Sequence, residues 1–402
     1  MKYVVLVPDG MSGLPLEELN DRTCMEAANS PNMDIIARKG IVGTSKNVPK
    51  GMTPASDVAN LSILGYDPKK HYCGRGPLEA ANLGVELGEN DVAFRFNTIT
   101  AGKDRMIDYS AGHISTKETT VLAELLNKEL GSEKFHFYAG TSYRNLLLVR
   151  CGSPEEAERL NKIKCYPPHD ILDKSISRHF PADKELVELM KKSREILPGC
   201  DVNKVRVDLG QNPANMIWVW GQGRNAEMPK FSDAFGIEGG IISAVDLLKG
   251  LGKVLGLEVA DVPGATGYYD TNYEGKAAAA LDILERKDLV FVHVEAPDEA
   301  GHNGHIREKI EAIENFDSKI TGKIIQELSG KVDYRVLILP DHPTPIKKRT
   351  HTSDPVPFAM AGPGITPDDV TVFTERSAKA GSVKLEKGSE LMRMLLSWEE
   401  KE

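Results

Sequence analysis

The stretch LVFVHVEAPDEAGHNGH, residues 289–305, decides how the chain is read. Residues 288–294 form a short run rich in β-branched side chains, which predicts a buried strand. At Glu295 the run gives way to a polar segment that carries Asp298 and His302. These two are four residues apart. In a helical turn they point to one face, a usable spacing for metal ligands. A capping or solvated histidine explains His302 as readily.

The same pattern recurs on either side. A helix after Gly240 precedes a strand near residues 254–259, and a helix over about 274–284 precedes the strand at 288–294. A long helix over about 306–328 precedes a strand at 335–339, and a last strand runs from about 357 to 361. The run Met216-Ile-Trp-Val-Trp220 reads as a further apolar strand of this set. Lys2 to Val7 has the same character, followed by Pro8-Asp9-Gly10. Strands alternating with helices in this way predict a mostly parallel sheet covered on both faces. Between them the texture changes. Residues 93–100 alternate in polarity, Ser115-x-x-Glu118 is a capping box, and strands and helices mix without βαβ order. The expected organisation is a split core of residues 1–88 and 201–402, with an inserted α+β domain over 89–200.

Reactive residue types collect at the expected strand ends. Asp9 follows the first strand, and Asp341-His342 sits between prolines after the strand at 335–339. His351 lies in the loop before the last strand. Open α/β sheets keep their ligands at this carboxyl edge. Gly51-Met-Thr-Pro-Ala-Ser56 closes onto an apolar run ending at Gly65, which puts Ser56 at a helix N-terminus. An ordinary serine cap accounts for that stretch on its own. Three carboxylates and three imidazoles on the same edge are also enough for two divalent cations, and a two-metal site activates an oxygen nucleophile and stabilises a phosphoryl group.

Composition narrows the classes. With 402 residues, 41% hydrophobic and 27% charged, the chain has the make-up of a soluble globular protein. A net charge of −9 argues against general nucleic-acid binding. No apolar run reaches membrane-spanning length, and MKYVVLVPDG reads as a first strand rather than a signal peptide. Five scattered cysteines without a C-x-x-C point to a reducing, cytoplasmic location.

Longer motifs carry a resemblance that runs nearly end to end. VPDG, TPASDVANLSILGYDP, GRGPLEAANLG, SYRNLLLV, WGQGR, GATGYYDTNYEGKA, EAPDEAGHNG, PDHPTP and RTHTSDPVPF together resemble the archaeal-type cofactor-independent phosphoglycerate mutases of the alkaline phosphatase superfamily. Ala55 stands where most relatives have glycine. The resemblance implies an α/β fold with an alkaline-phosphatase-like, mostly parallel sheet and an inserted α+β domain. It implies interconversion of 3-phosphoglycerate and 2-phosphoglycerate through a phosphoserine at Ser56, with two divalent metal ions (Mn²⁺, Zn²⁺, Mg²⁺ or Co²⁺) and no bisphosphoglycerate. One ion would be held by Asp9, Ser56, Asp341 and His342, the other by Asp298, His302 and His351. Lys276 is implied to neutralise the transferring phosphoryl group. Arg75, Asp108, His113 and Arg144 are the candidates for contacts to a small phosphorylated substrate. No nucleic-acid or membrane partner is expected. A related bacterial branch with a proposed homoserine kinase activity, or another metal-dependent phosphatase or phosphotransferase, is the alternative.

Overall fold

In a computed structural model of the chain, which describes residues 1–225 and 227–397, two units separate. One is Met1–Tyr72 together with the chain from Met228 onward; the other is Cys73–Glu227. The strands in chain order are β1 Lys2–Pro8, β2 Gly40–Ser45, β3 Asp91–Ala101, β4 Met106–Asp108, β5 Phe135–Tyr138 and β6 Arg144–Arg150. They continue with β7 Met216–Gly223, β8 Gly239–Ile242, β9 Glu258–Val259, β10 Leu289–Val294, β11 Tyr334–Ile338, β12 Val356–Ala361 and β13 Val383–Leu385.

The larger unit is an α/β unit built on an eight-stranded sheet of order β13-β2-β12-β11-β1-β10-β8-β9. β1 lies at its centre, with Val5 level with Phe291 of β10 and Leu337 of β11. Val4 to Val7 and the whole of β10 are buried, because a central parallel strand meets helices on both faces. On one face Val4, Leu6, Val290 and Val292 pack with Ile283 of helix Tyr273–Arg286 and Phe316 of helix Ile306–Phe316. On the other, Gly252 of helix Asp246–Val254 lies against Ile241. The long helix expected over 306–328 is interrupted by a π-turn at Asp317–Thr321. There the buried Asp317 carboxylate accepts from the Asn32 and Met33 amides. It thereby satisfies the first turn of helix Pro31–Arg38, whose own Ser30 makes no side-chain cap bond.

All pairings in the sheet are parallel except those of β12, which runs against both β11 and β2. That single reversal matters for the site. The carboxyl ends of β1, β10 and β11 form one rim, and the loop that enters β12 is at that rim too.

The smaller unit is α+β. Its strands pair only antiparallel: β3 is central, with β6 on one side, β7 on the other, β5 beyond β6, and β4 joined after a bulge at Thr100/Ala101. The capping box expected at Ser115 and Glu118 opens helix Thr116–Leu130. The reading of Met216–Trp220 as a core strand is corrected here. β7 pairs with β3, and Gly76 of helix Arg75–Leu83 lies against Ala93 of β3, so this unit runs from Cys73 to Glu227 where residues 89–200 were expected. A fully buried apolar run has the same composition in the middle of either sheet, so periodicity does not choose between them. Among the described residues no helix is long and apolar enough to cross a membrane.

Candidate active site

The rim of the larger sheet gathers all seven residues expected to hold cations. β1 ends at Pro8, and the Asp9 amide still donates to Val294 O of β10 at 3.0 Å, which holds Asp9 at the edge of the sheet. Gly10 follows with φ +59°, and a Cβ there would run into the Asp298 carboxylate and the Thr344 hydroxyl. Only glycine allows the two loops to approach this closely. β11 ends at Ile338, and the chain reaches Asp341 and His342, both fully buried. After β10, helix Ala296–Asn303 carries Asp298 and His302 on one face. His351 arrives at the same rim because its loop feeds the reversed strand β12.

Ser56 is the first residue of helix Ser56–Ile63, with extended Ala55 at the cap position and no side-chain cap bond. The expectation that Ser56 caps the helix is therefore corrected: its Oγ instead lies 3.2 Å from His342 Nε2. Asn60, one turn on, donates to Ser56 O at 2.8 Å and to Asp341 Oδ2 at 2.8 Å. Asp341 Oδ1 accepts from the Gly10 and His342 amides at 3.2 and 2.8 Å. Asp57, beside Ser56 in the first turn, is buried and accepts from Tyr72 Oη at 2.8 Å.

Two groups of ligand atoms result. In the first, His302 Nδ1 faces Arg349 O at 3.1 Å and His351 Nδ1 faces Pro54 O at 3.2 Å. With each Nδ1–H given to a carbonyl, both Nε2 atoms present lone pairs toward Asp298, at 3.2 and 3.4 Å. In the second, Asp9, Asp341 and His342 converge, with His342 Nε2 3.6 Å from Asp9 and 3.5 Å from Asp341. The His342 and His351 rings stack at 3.8 Å, so the two groups adjoin.

The electrostatics fit divalent cations. Burial, then the charges of Asp341 and Asp298, push the Asp9 carboxyl well above the usual carboxylate range. Burial alone would raise Asp298 too; without a cation, protons on the His302 and His351 rings take its place, and their hydrogen bonds to Asp298 more than reverse the rise. Burial presses the His342 imidazole down to about 4, which keeps it neutral and able to ligate. Asp9 Oδ1 is buried with no hydrogen-bond partner among the described residues. Clustered carboxylates, imidazoles whose protons a cation can displace, a neutral His342 among them, and an orphaned buried oxygen are the donor set a divalent cation satisfies.

Several neighbours gave little signal in sequence. His293 is buried in β10, where every position is buried and a histidine reads as core. Lys309 is buried and donates to Gly10 O and Thr344 O, both at 2.7 Å, tying two rim loops together. Thr344 Oγ1 donates to Asp298. Lys276 is fully buried, with its ammonium 3.0 Å from His293 O and 3.4 Å from Glu295.

The four expected substrate contacts belong to the smaller unit. Arg75 opens helix Arg75–Leu83, and its guanidinium stacks over Trp220 at 5.2 Å. Arg95, on β3, stacks on the same ring at 5.1 Å and pairs with Glu79 at 3.5 Å. Burial, against the pull of Glu79, lowers Arg95 to about 10, and the charges of Arg144 and Arg75 add to the lowering. Arg144 opens β6, and its guanidinium stacks on Tyr143 at 4.6 Å. Three guanidiniums thus gather around two aromatic rings. His113 has φ +51° and meets Tyr143 edge-on at 5.9 Å. Asp108 accepts from the Ser110 and Gly112 amides, the Ser110 hydroxyl and Asn212. It organises its loop with all the acceptor capacity this uses.

The α/β sheet with a serine, carboxylates and imidazoles gathered at one carboxyl rim puts the chain among proteins that do their chemistry at that edge. The chain belongs to the 2,3-bisphosphoglycerate-independent phosphoglycerate mutase family. The family model of that description matches residues 37–203. A protein of Methanothrix thermoacetophila named 2,3-bisphosphoglycerate-independent phosphoglycerate mutase is 50% identical over 402 residues, covering 99% of this chain and 100% of the relative. One of the same name from Methanosarcina barkeri is 49% identical over 401 residues, covering 98% and 99%. Among solved structures, a Pyrococcus horikoshii protein superposes with TM-score 0.82 at 30% identity, covering 98% of this chain and 96% of the other. A cofactor-independent phosphoglycerate mutase from Thermoplasma acidophilum superposes with TM-score 0.65 at 29% identity, covering 98% and 99%.

Proposed function

We propose that the protein is a cytoplasmic phosphoglycerate mutase that interconverts 3-phosphoglycerate and 2-phosphoglycerate without bisphosphoglycerate. The observation that carries this is Ser56 Oγ at 3.2 Å from His342 Nε2, on the first turn of a helix and beside the two ligand groups. In this reading Asp9, Ser56, Asp341 and His342 hold one divalent cation, and Asp298, His302 and His351 hold the other. Such cations supply Lewis acidity toward serine and phosphoryl oxygens.

The chain's own residues account for the rest. Ser56 Oγ attacks phosphorus of 3-phosphoglycerate, the bond to the 3-oxygen breaks, and phosphoserine and glycerate result. The first-turn amides of helix Ser56–Ile63 favour negative charge at that position. Glycerate turns, its 2-oxygen attacks the phosphoserine, and Ser56 is regenerated, so no outside phosphate donor is consumed. Arg75, Arg95 and Arg144 suit the carboxylate and phosphate of the substrate, since guanidinium forks match both. His113 is a candidate for a hydroxyl contact, while Asp108 holds the loop on which His113 sits. Lys276, expected to neutralise the phosphoryl group, is fully buried with its ammonium on Glu295 and the His293 carbonyl, so in this reading it acts through Glu295 rather than by direct contact.

The test is a coupled assay of metal-reconstituted protein with 3-phosphoglycerate alone, beside homoserine plus ATP. Formation of 2-phosphoglycerate, with phosphate on Ser56 after acid quench, is expected. ATP-dependent phosphorylation of homoserine without mutase activity overturns the proposal in favour of the kinase reading. Near-normal turnover by Ser56→Ala overturns the phosphoserine route.

A further inference from the structure

One imidazole at the rim has no part in the seven-residue ligand set. His293 is the fifth residue of β10, level with Val7 of β1, and fully buried. Its Nε2 lies 3.2 Å from Asp9 Oδ2 and 3.9 Å from Asp341 Oδ2, without a hydrogen bond to either among the described residues. The other oxygen of Asp9 is orphaned in the same place. The opposite edge of the ring is held. Nδ1 lies 3.4 Å from Glu295 Oε1 and 3.4 Å from Ser243 Oγ. Ser243 in turn donates to Glu295 Oε1 at 3.1 Å, and the Lys276 ammonium lies 3.4 Å from Glu295 Oε2.

The order of these contacts sets the tautomer. The Lys276 ammonium, 3.4 Å from Glu295 Oε2 in the same buried pocket, is the counter-charge that keeps Glu295 a carboxylate. An ionised carboxylate beside Nδ1 accepts its proton, so Nε2 is left with the lone pair. That lone pair points at two carboxylates. In a buried site a lone pair facing two anionic oxygens is repulsive unless a proton or a metal cation stands between them, and a bound cation takes the proton's place. A carboxylate behind the ring and a metal in front of it is the usual arrangement for a ligating histidine.

We propose that His293 is a further nitrogen donor to the cation held by Asp9 and Asp341, with Glu295 as the positioning residue that fixes its tautomer. This rests on the two-cation reading above. It would give that ion two imidazoles, His342 and His293, as the other would have His302 and His351. It also accounts for Lys276. A fully buried lysine ion-paired to Glu295 serves the ligand shell from behind.

The experiment is a Mn²⁺ titration of metal-free full-length protein, followed by electron paramagnetic resonance with nitrogen modulation of the bound ion. Wild type is expected to take up two Mn²⁺. His293→Ala is expected to weaken one class of site about 10- to 100-fold, leave the other unchanged, and lose one imidazole coupling. His293→Asn, which keeps a polar group in the strand, carries the same expectation should the alanine variant fail to fold. Glu295→Gln is expected to weaken the same class and alter the coupling while leaving the imidazole count intact. Two sites of wild-type affinity with the full set of imidazole couplings in a folded His293 variant overturn the proposal. A wild type that takes up fewer than two ions overturns the two-cation reading together with it. A wild type that binds two ions and makes no 2-phosphoglycerate overturns only the mutase assignment, and the variant comparison still decides the role of His293.

Discussion

His302 Nε2 and His351 Nε2 lie 2.8 Å apart, each with its other ring nitrogen turned to a backbone carbonyl. Two imidazole lone pairs at that spacing repel unless a proton or a cation lies with them, and Asp298 closes the third side. Cation binding should therefore stabilise the folded protein, since a site assembled from helix Ala296–Asn303 and the loop before β12 is absent from the unfolded chain. At a free Mn²⁺ concentration about 100 times Kd the gain from one site is about 2.7 kcal/mol. Thermal melts with excess chelator and then with Mn²⁺ should show a clear rise in Tm. His302→Ala should remove much of that rise. Identical melting with and without the ion would contradict the reading.

Asn60 joins the nucleophile's helix to the ligand shell by one amide, which donates to both Ser56 O and Asp341 Oδ2. Asn60→Ala leaves a buried carboxylate oxygen without its donor, at about 1–3 kcal/mol. The larger effect should be kinetic, because Ser56 loses its tie to Asp341. Displacements of about 1 Å near the reacting atoms cost about 10²-fold in rate. Steady-state assays should show a fall in kcat with KM nearly unchanged. A change in KM alone would mean that Asn60 serves binding rather than alignment.

Lys309 is buried beneath the rim, with its ammonium shared between Gly10 O and Thr344 O. Burial pushes its pKa down, against the attraction of the surrounding acids. Lys309→Met fills the same volume but strands two carbonyls and removes a positive charge that faces the ligand carboxylates Asp9 and Asp298. Breaking a buried charged interaction from one side costs about 3–5 kcal/mol. Urea unfolding should show that loss in chelator. With saturating Mn²⁺ the deficit should shrink, because the ions neutralise the same carboxylates.

The legible part of the site was the part that interrupts a pattern. Asp9, Asp298 and Asp341-His342 each break an apolar run at its end, so a sequence reading places them at strand termini, and the sheet then brings them together. His351 was legible as a loop histidine, but the reason it reaches the rim is the reversal of β12, which no local pattern announces. His293 was hidden for the opposite reason. It sits inside a run that is buried throughout, where one polar residue among six does not break the strand signal. The nearness of His293 to Glu295, two residues on and just past the end of the strand, was the available hint. Lys309 and Asn60 lie in helices whose periodicity tolerates a buried polar residue without comment. The boundary of the smaller unit was missed because β7 is apolar enough for either sheet, and only its pairing with β3 tells them apart.

The smaller unit offers a test that is independent of any cation. Asp183 caps helix Lys184–Ile196 by accepting from the Leu186 amide at 2.9 Å, and it pairs with Arg159 at 2.5 Å. Burial alone would raise its carboxyl; the Leu186 amide and Arg159 outweigh it and bring the pKa below the ordinary value. A carboxyl lowered on folding stabilises the native state above its unfolded pKa of about 3.9, and that stabilisation is lost as the pH falls through the folded value. Asp183→Asn keeps an acceptor for the helix but not the charge. Arg159 is half-exposed, so solvent screens the pair, and the expected cost at pH 7 is about 1 kcal/mol. Thermal melts of both proteins in chelator should show that gap at pH 7, hold it to about pH 5, and close it as the pH drops below about 3.9. A gap that widens on acidification would mean that the carboxyl is raised on folding, and that Arg159 contributes less than the burial it opposes.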